Sequence, residues 1–112
     1  MRIAIPIVDG KLCMHFGHCE RFALLEVDEE RREITKREDV EPPPHAPGLL
    51  PPWLAERGVE CVIAGGMGLR AQQLFVQQQI KVMVGAPSET PERLVEEYLS
   101  GKLVLGANTC DH

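Results

Sequence analysis

The sequence predicts an α/β protein with a mixed five-stranded sheet flanked by helices. Short apolar, β-branched runs alternate with segments in which apolar residues recur at helical spacing, and Gly or Pro separates the two kinds of segment. The first three strands follow one another directly, which predicts antiparallel pairing. The later strands alternate with helices, which predicts parallel pairing through right-handed crossovers. At 112 residues and 44% hydrophobic composition, residues 1–112 are expected to form a single domain.

The N-terminal half is predicted to contain three strands. Ile3–Val8 is apolar and mostly β-branched, and residues 11–20 are expected to form a loop. Phe22–Val27 is the second predicted strand. The charged stretch 28–32 turns the chain into a third, exposed strand over Glu33–Glu38, so the second and third strands should form a hairpin.

A Pro-rich connection, residues 39–48, leads into the first predicted helix. Six of the nine prolines lie between Pro42 and Pro52, and this composition favours a stiff, extended chain. Pro51 and Pro52 fit a first helical turn, whose amides have no intrahelical partner. Gly58 should end this helix. Its predicted apolar face comprises Leu49, Leu50, Trp53 and Leu54.

The C-terminal half is predicted to alternate strands and helices. Val59–Ala64 and Ile80–Val84 are the fourth and fifth strands, with a helix over Leu69–Gln78 between them. Thr90 is a suitable N-cap for a third helix, with Pro91 at its first position and Gly101 at its end. The residues expected to face the core are Ala71, Leu74 and Phe75 in the second helix and Leu94, Val95, Tyr98 and Leu99 in the third.

Charge and hydropathy exclude two classes of partner. Twelve Lys and Arg against seventeen Asp and Glu give a net charge of -5, which argues against a nucleic-acid-binding surface. The sequence contains no apolar run of the roughly 18 residues that a membrane span needs. The N-terminal stretch lacks the apolar block of a signal peptide, so we expect a cytoplasmic protein with reduced cysteines.

The segment from Cys13 to Cys19 carries the strongest chemical signal. It places Cys13, His15, His18 and Cys19 within seven residues. Thiolates suit iron–sulfur species, zinc and copper(I), and imidazole suits zinc and iron. The spacing is C-x-H-x-x-H-C rather than the C-x2-C of common zinc sites, so it indicates a metal or a cluster without identifying which. The alternative is that the two cysteines are small buried residues and the histidines only cap a loop.

Three further features are candidate parts of a site. Cys110 and His112 could fold over a metal, although a chain end is more often without function. The turn Gly65-Gly66-Met67-Gly68 precedes a helix, and its backbone amides could bind an anion, although a tight turn alone explains the glycines. His45 lies in the Pro-rich connection and is, by itself, an ordinary exposed histidine. Cys61 lies in an apolar strand and is expected in the core.

The chain resembles the dinitrogenase iron–molybdenum cofactor biosynthesis proteins of the NifX and NifB C-terminal type. The resemblance covers essentially the whole chain and is strongest to a stand-alone archaeal and bacterial subgroup. The subgroup features are the Pro-rich stretch 43–51 and the terminal stretch 108–112. The family features are His15-Phe16-Gly17 with Phe22, Gly65-Gly66-Met67-Gly68, Ala71 with Leu74, Ile80, and Tyr98-Leu99-Ser100-Gly101-Lys102-Leu103.

This resemblance implies a ribonuclease-H-like fold without ribonuclease chemistry, and binding of an iron–sulfur or iron–molybdenum type cluster. The cluster-associated histidine of the family falls on His15. Some relatives hold a mixed molybdenum–copper sulfide cluster, and an Mrp/NBP35-type iron–sulfur carrier ATPase or another cluster-assembly protein is the implied partner. Gln79 departs from the family pattern, which often has Gly before the last strand, and this should alter a turn rather than a site.

Three hypotheses follow for function. The first is a non-enzymatic carrier or chaperone for a metallocluster, with ligands from Cys13, His15, Cys19 and His18, hydrogen bonds from the amides of 65–68, and closure by His45, Cys110 and His112. The second is a small structural or regulatory module that binds one zinc ion. An enzyme ranks last because the sequence offers no acid–base pair. The client and the existence of a homodimer are left open.

Overall fold

The computed structural model describes residues 1–16, 19–44 and 48–106. They form a mixed α/β structure with one six-stranded sheet and three helices. The strands are β1 (Arg2–Val8), β2 (Lys11–Leu12), β3 (Arg21–Asp28), β4 (Glu33–Val40), β5 (Cys61–Ile63) and β6 (Lys81–Met83). The helices are α1 (Leu50–Glu56), α2 (Leu69–Gln77) and α3 (Pro91–Leu99).

The sheet confirms the predicted mixture of pairings. Its order is β4-β3-β1-β5-β6, with β1–β3 and β3–β4 antiparallel and β1–β5 and β5–β6 parallel. The predicted count of five strands was too low, because β2 pairs with the end of β1 through Ile7 and Leu12. Two residues are too few to show an alternating pattern, so this segment reads as loop. The ribonuclease-H-like assignment stays a prediction.

Two apolar clusters lie on the two faces of the sheet. Strand β1 contributes to both, because successive side chains of a strand point to opposite faces. Ile3, Ile5 and Ile7 pack with α3, and Ala4 packs on the face covered by α1 and α2. The second cluster contains the fully buried Phe22 and Phe75, which lie in β3 and α2. Burial of an aromatic side chain of this size contributes about 1.5–3 kcal/mol each.

Pro and Gly set the helix ends as predicted. Pro51 and Pro52 lie in the first turn of α1, and Pro91 begins α3. Gly58 and Gly101 follow these helices with φ of +77° and +75°, the left-handed conformation that closes a helix. Thr90 occupies the N-cap of α3 as predicted, but its side chain makes no capping hydrogen bond. None of the described helices is both long enough and apolar enough to cross a membrane.

Strand β4 forms one border of the sheet and is charged along most of its length. Its sequence is Glu-Ile-Thr-Lys-Arg-Glu-Asp-Val. The apolar residues at its two ends, Ile34 and Val40, are partly buried and pack on the core. Arg37 joins this strand to α3, since its Nη1 donates to Glu92 Oε2 at 2.6 Å while its Nε donates to Asp39 at 2.8 Å. The predicted strand ended at residue 38, whereas β4 continues to Val40 opposite Phe22.

Candidate functional site

The candidate site lies where the parallel strands β1, β5 and β6 reach their carboxyl ends. In open α/β sheets this edge is the usual place for a ligand, because the connecting loops leave the sheet there. We call it the carboxyl edge. The loops that meet at this edge are residues 13–16 after β2, 64–68 after β5 and 84–86 after β6, as their hydrogen bonds show.

Backbone pairing joins the first of these loops to the second. The Phe16 N–H donates to the Gly66 carbonyl at 2.9 Å, and His15 and Gly66 form an isolated parallel bridge. At the start of the loop, the Cys13 N–H donates to the Pro6 carbonyl at 2.8 Å. These bonds hold the Cys/His loop directly beside the glycine turn, so two separate sequence motifs form one rim.

The glycine turn 65–68 is fixed through its carbonyl groups. The Gly65 carbonyl accepts from the Gly85 N–H at 2.7 Å. Gln72 bonds the last two carbonyls of the turn, since its Nε2 donates to Met67 O at 3.0 Å and its N–H donates to Gly68 O at 3.2 Å. A side chain at position 65 has no room, because its Cβ would lie 3.1 Å from Met14 Cα. Close approach of two backbones therefore explains glycine at this position.

The two described thiols of the predicted ligand set are those of Cys13 and Cys19. Cys13 is 5% exposed, and its Sγ donates to the His15 carbonyl at 3.2 Å. Cys19 is half-buried and packs against the cluster that contains Phe22. Burial, together with the neighbouring Cys13 thiol, raises the pKa of Cys19 to about 11. Burial therefore favours the protonated Cys19 thiol at neutral pH.

Phe16 anchors the Cys/His loop to the core. Its ring lies 5.4 Å from that of Phe75 in an edge-on arrangement and 5.8 Å from that of Phe22. Such aromatic pairs are worth about 0.5–1.5 kcal/mol beyond the area they bury. His15 precedes this anchor and is exposed, so the ring of Phe16 holds the loop while the imidazole faces solvent.

Helix α2 begins at this rim. Gly65, Gly66 and Met67 are buried and Gly68 is half-buried, so the turn becomes accessible at the N-cap of the helix. The N-cap has no side-chain hydrogen bond, which leaves the first amides of α2 available to a guest. The Met67 side chain lies in the core, so any contribution from this residue comes from its backbone.

The C-terminal segment also reaches the carboxyl edge. The Gly106 N–H donates to the Gly85 carbonyl at 2.7 Å, and the Gly85 N–H donates in turn to the glycine turn. The last described residue of the chain therefore contacts the loop after β6, which is bonded to the glycine turn.

The structure brings part of the predicted site together. Cys13, His15, Cys19 and the turn 65–68 lie around the carboxyl edge, whereas four predicted ligands fall outside the described residues: His18, His45, Cys110 and His112. Within residues 1–16, 19–44 and 48–106, no three His, Cys, Asp or Glu side chains are grouped so that they could hold a metal ion. The described donors thus form an incomplete ligand set.

Sequence reasoning missed three residues of this rim. Met14 packs its backbone and sulfur against Gly65, Phe16 anchors the loop, and Gly85 connects the glycine turn to the C-terminal segment. Phe16 and Gly85 carried a usable signal, because the first lies inside the Cys/His motif and the second directly follows a predicted parallel strand. Met14 lies inside the same motif, but its contact is with the backbone of Gly65, which the sequence does not indicate.

A large depression elsewhere on the surface lacks the thiol and imidazole groups that would bind a soft metal. It has a volume of about 650 Å³ and is lined by charged groups such as Arg2, Glu26, Arg57 and Glu60. Arg2 donates to Glu26 and to the Arg57 carbonyl, so its guanidinium is used within the fold. None of its described lining residues is Cys or His.

Comparisons of the sequence and of the structure with known proteins find a matching family model, a related sequence and similar solved structures. The model of the dinitrogenase iron-molybdenum cofactor family matches residues 1–101. The uncharacterized protein MJ0580 of Methanocaldococcus jannaschii is 33% identical over 108 residues, which cover 92% of this chain and 89% of that protein. The crystal structure of PH0822 superposes with a TM-score of 0.86 at 28% identity, covering 94% of each chain. The apo form of the orange protein of Desulfovibrio gigas gives 0.72 at 26% identity, covering 96% of this chain and 93% of that one.

Proposed function

The chain belongs to the dinitrogenase iron-molybdenum cofactor family, and from this premise we propose that it is a non-enzymatic carrier or chaperone of a metallocluster. The family links the chain to iron–molybdenum cofactor biosynthesis. The cargo we propose is an iron–sulfur or iron–molybdenum type cluster, or a molybdenum–copper sulfide cluster. The observation that carries the proposal is the pairing of His15 with Gly66, which joins the Cys/His loop to the glycine turn in one rim.

The donors on this rim suit a sulfide-rich guest. Cys13 and Cys19 supply soft thiol ligands and His15 supplies an imidazole, the combination found around iron–sulfur and copper centres. Cys13 is buried and bonded to its own loop, and His15 is exposed. A site with few protein ligands, of which only some are exposed to solvent, favours release of the bound cluster. A closed cage of four thiolates retains its metal.

The start of α2 supplies the complementary charge. Iron–sulfur and molybdenum sulfide clusters are anions, and the positive end of a helix attracts anions through its unpaired amides. The half-buried Gly68 opens this nine-residue helix beside the thiol-bearing loop. We propose that these amides, with the backbone of 65–67, donate hydrogen bonds to cluster sulfides.

The remaining predicted ligands complete the proposal. In the sequence, His18 belongs to the Cys/His loop and His45 to the Pro-rich connection, and Cys110 and His112 follow Gly106. We propose that His18 joins the ligands of the Cys/His loop and that His45, Cys110 and His112 close over the guest. An Mrp/NBP35-type carrier ATPase or another cluster-assembly protein is the proposed partner for delivery.

Anaerobic reconstitution tests the carrier function. Protein with reduced thiols is mixed with ferrous iron and sulfide, with and without molybdate, and desalted before metal analysis and visible spectroscopy. We expect a chromophore and bound metal in the parent chain, and a clear loss of both in His15→Ala and Cys13→Ser. Cys61→Ser is the matched control, because Cys61 is 1% exposed in the core, away from the rim.

Two results would contradict the proposal. The first is colourless, metal-free protein whose behaviour His15→Ala does not change. The second is one tightly bound zinc without colour, together with a melting temperature that falls on chelation, which supports the zinc-module alternative.

A further inference from the structure

We propose that the exposed side of helix α2 is a docking surface for the protein that exchanges the guest, a partner with an apolar groove and an acidic rim. This inference rests on the proposed function and names the surface through which the carrier meets its partner. The surface consists of Leu69, Gln73 and Val76, with Arg70 beside them. We call it the α2 face.

The α2 face lies on the side of the helix that points away from the core. Phe75 is fully buried and Ala71 packs against the same cluster, whereas Leu69 and Val76 are 60% and 69% exposed. At 3.6 residues per turn, Leu69, Gln73 and Val76 lie within about 60° of one another around the helix axis. Two large apolar side chains seven residues apart have the spacing with which a helix enters an apolar groove.

The α2 face belongs to the longest acid-free stretch of the chain. Residues 61–88 contain no Asp or Glu, although the whole chain has 17 of them in 112 residues and a net charge of -5. The charged residues of this stretch are Arg70 and Lys81, and the Lys81 ammonium lies over the ring of Tyr98 in α3. An acidic partner is therefore repelled by most of the molecule and attracted to the part that carries Arg70.

Arg70 is available to a carboxylate of the partner. It is exposed, and no ion pair among the described residues includes it, whereas five other arginines pair with carboxylates. Its place in the first turn of α2 is unfavourable, because a cation there lies at the positive end of the helix dipole. Helix α3 has the favoured charge, with Glu92 in its first turn. A carboxylate from the partner would offset the repulsion at Arg70.

The size and place of the α2 face favour a transient partner over a permanent second copy of the chain. Helix α2 has nine residues and is about 14 Å long. A stable dimer buries roughly 800 Å² per partner, and one side of so short a helix supplies only a fraction of that area. The helix begins at Gly68 in the glycine turn, so a partner on the α2 face lies beside the proposed site. Brief docking next to the guest is what exchange requires.

Transfer of an iron–sulfur cluster to an acidic acceptor tests the inference. The full chain is reconstituted with ferrous iron and sulfide and mixed with a plant-type apo-ferredoxin of strongly negative net charge. Circular dichroism of the holo-ferredoxin gives the second-order rate constant per loaded cluster. We expect Arg70→Glu to lower this constant at least about tenfold, with a weaker dependence on salt than in the parent. Val76→Ser should lower it about fivefold and leave loading unchanged, because Val76 lies two turns from the rim.

Matched controls separate the α2 face from general surface effects. Arg32→Glu makes the same change in net charge at an exposed turn after β3, which lies at the opposite end of the sheet because β3 runs antiparallel to β1. Val104→Ser removes a valine that is 79% exposed and lies outside α2. Both variants should transfer the cluster like the parent. Arg70→Lys keeps the positive charge and should retain most of the rate.

The outcomes distinguish this inference from the proposed function, because loading is measured before transfer. The docking surface is overturned if loaded Arg70→Glu and Val76→Ser transfer at the parental rate, if the two controls are slowed equally, or if the loaded parent transfers nothing to the acidic acceptor. Light scattering provides another test, since a parent dimer that Val76→Ser dissociates would assign the α2 face to a second copy instead. Each of these results leaves the carrier function standing. A parent chain that binds no cluster removes both proposals.

Discussion

Gln79 follows helix α2 with a φ of +61°, a left-handed conformation in which glycine is the favoured residue. Its N–H donates to the Val76 carbonyl at 2.9 Å, so this backbone geometry closes the helix and cannot relax without breaking the turn. For a residue with a Cβ this conformation is unfavourable by about 1–2 kcal/mol. Gln79→Gly removes this strain. The greater freedom of glycine in the unfolded chain cancels about 0.4–1 kcal/mol of the stability that is gained.

The net expectation for Gln79→Gly is a stabilisation of about 0.5–1 kcal/mol, which raises Tm by roughly 2–5 °C in a domain of this size. Thermal and urea unfolding, followed by circular dichroism, measure both quantities. The neighbouring Gln78 is an ideal control, because it has a φ of -88° and no strain to relieve. Gln78→Gly should lower stability by about 0.5–1 kcal/mol. Equal effects of the two substitutions, or a less stable Gln79→Gly, would refute the strain argument.

Three further changes test the site and the core. Phe16→Ala removes the loop anchor and should destabilise the fold by about 2–3 kcal/mol and reduce cluster loading, with Phe16→Leu intermediate in both; equal loading in the two variants would contradict the anchoring role. Gly65→Ala places a Cβ 3.1 Å from the backbone of Met14. It should lower stability by about 1–3 kcal/mol and displace the Cys/His loop, seen as faster alkylation of Cys13; an unchanged rate would argue against it. Burial raises the pKa of Cys61 to about 11 from 9.0. Above about pH 9 the unfolded thiol ionises first, so stability should fall between about pH 9 and 11, by up to about 3 kcal/mol from this residue. Cys61→Val should flatten that fall in denaturant titrations, and a slope identical to the parent's would exclude this cause.

Local patterns predicted most of the fold. The prolines at the start of α1 and the glycines after α1 and α3 act through backbone geometry, which depends little on distant contacts. Four of the five longer strands followed from their apolar runs, and the exposed strand β4 followed from the charged turn before it. The type of connection between successive strands predicted whether they pair parallel or antiparallel. Strand β2 was missed because its pairing with Ile7 depends on a turn back onto β1.

The site was predictable in its chemistry and less so in its geometry. The residue types of Cys13, His15 and Cys19 indicated a soft-metal site, and the topology brought them beside the glycine turn. The approach of Gly85 to Gly106 had no local signal, since a backbone contact between distant segments leaves only two ordinary glycines in the sequence. Burial of the Met67 side chain likewise depends on the packing of α2, which the turn motif does not encode.

The charged border strand β4 has a consequence for the behaviour of the protein at high concentration. An uncovered border strand offers free amide and carbonyl groups to any other extended chain, the first step toward fibril formation. Lys36, Arg37, Glu38 and Asp39 place alternating blocks of opposite sign along this border. A strand from another molecule would have to desolvate these charged groups in order to pair with β4. This cost opposes the addition of further strands at this border of the sheet. The charges of β4 therefore protect this border of the sheet from pairing with the backbone of another molecule, even at high protein concentration.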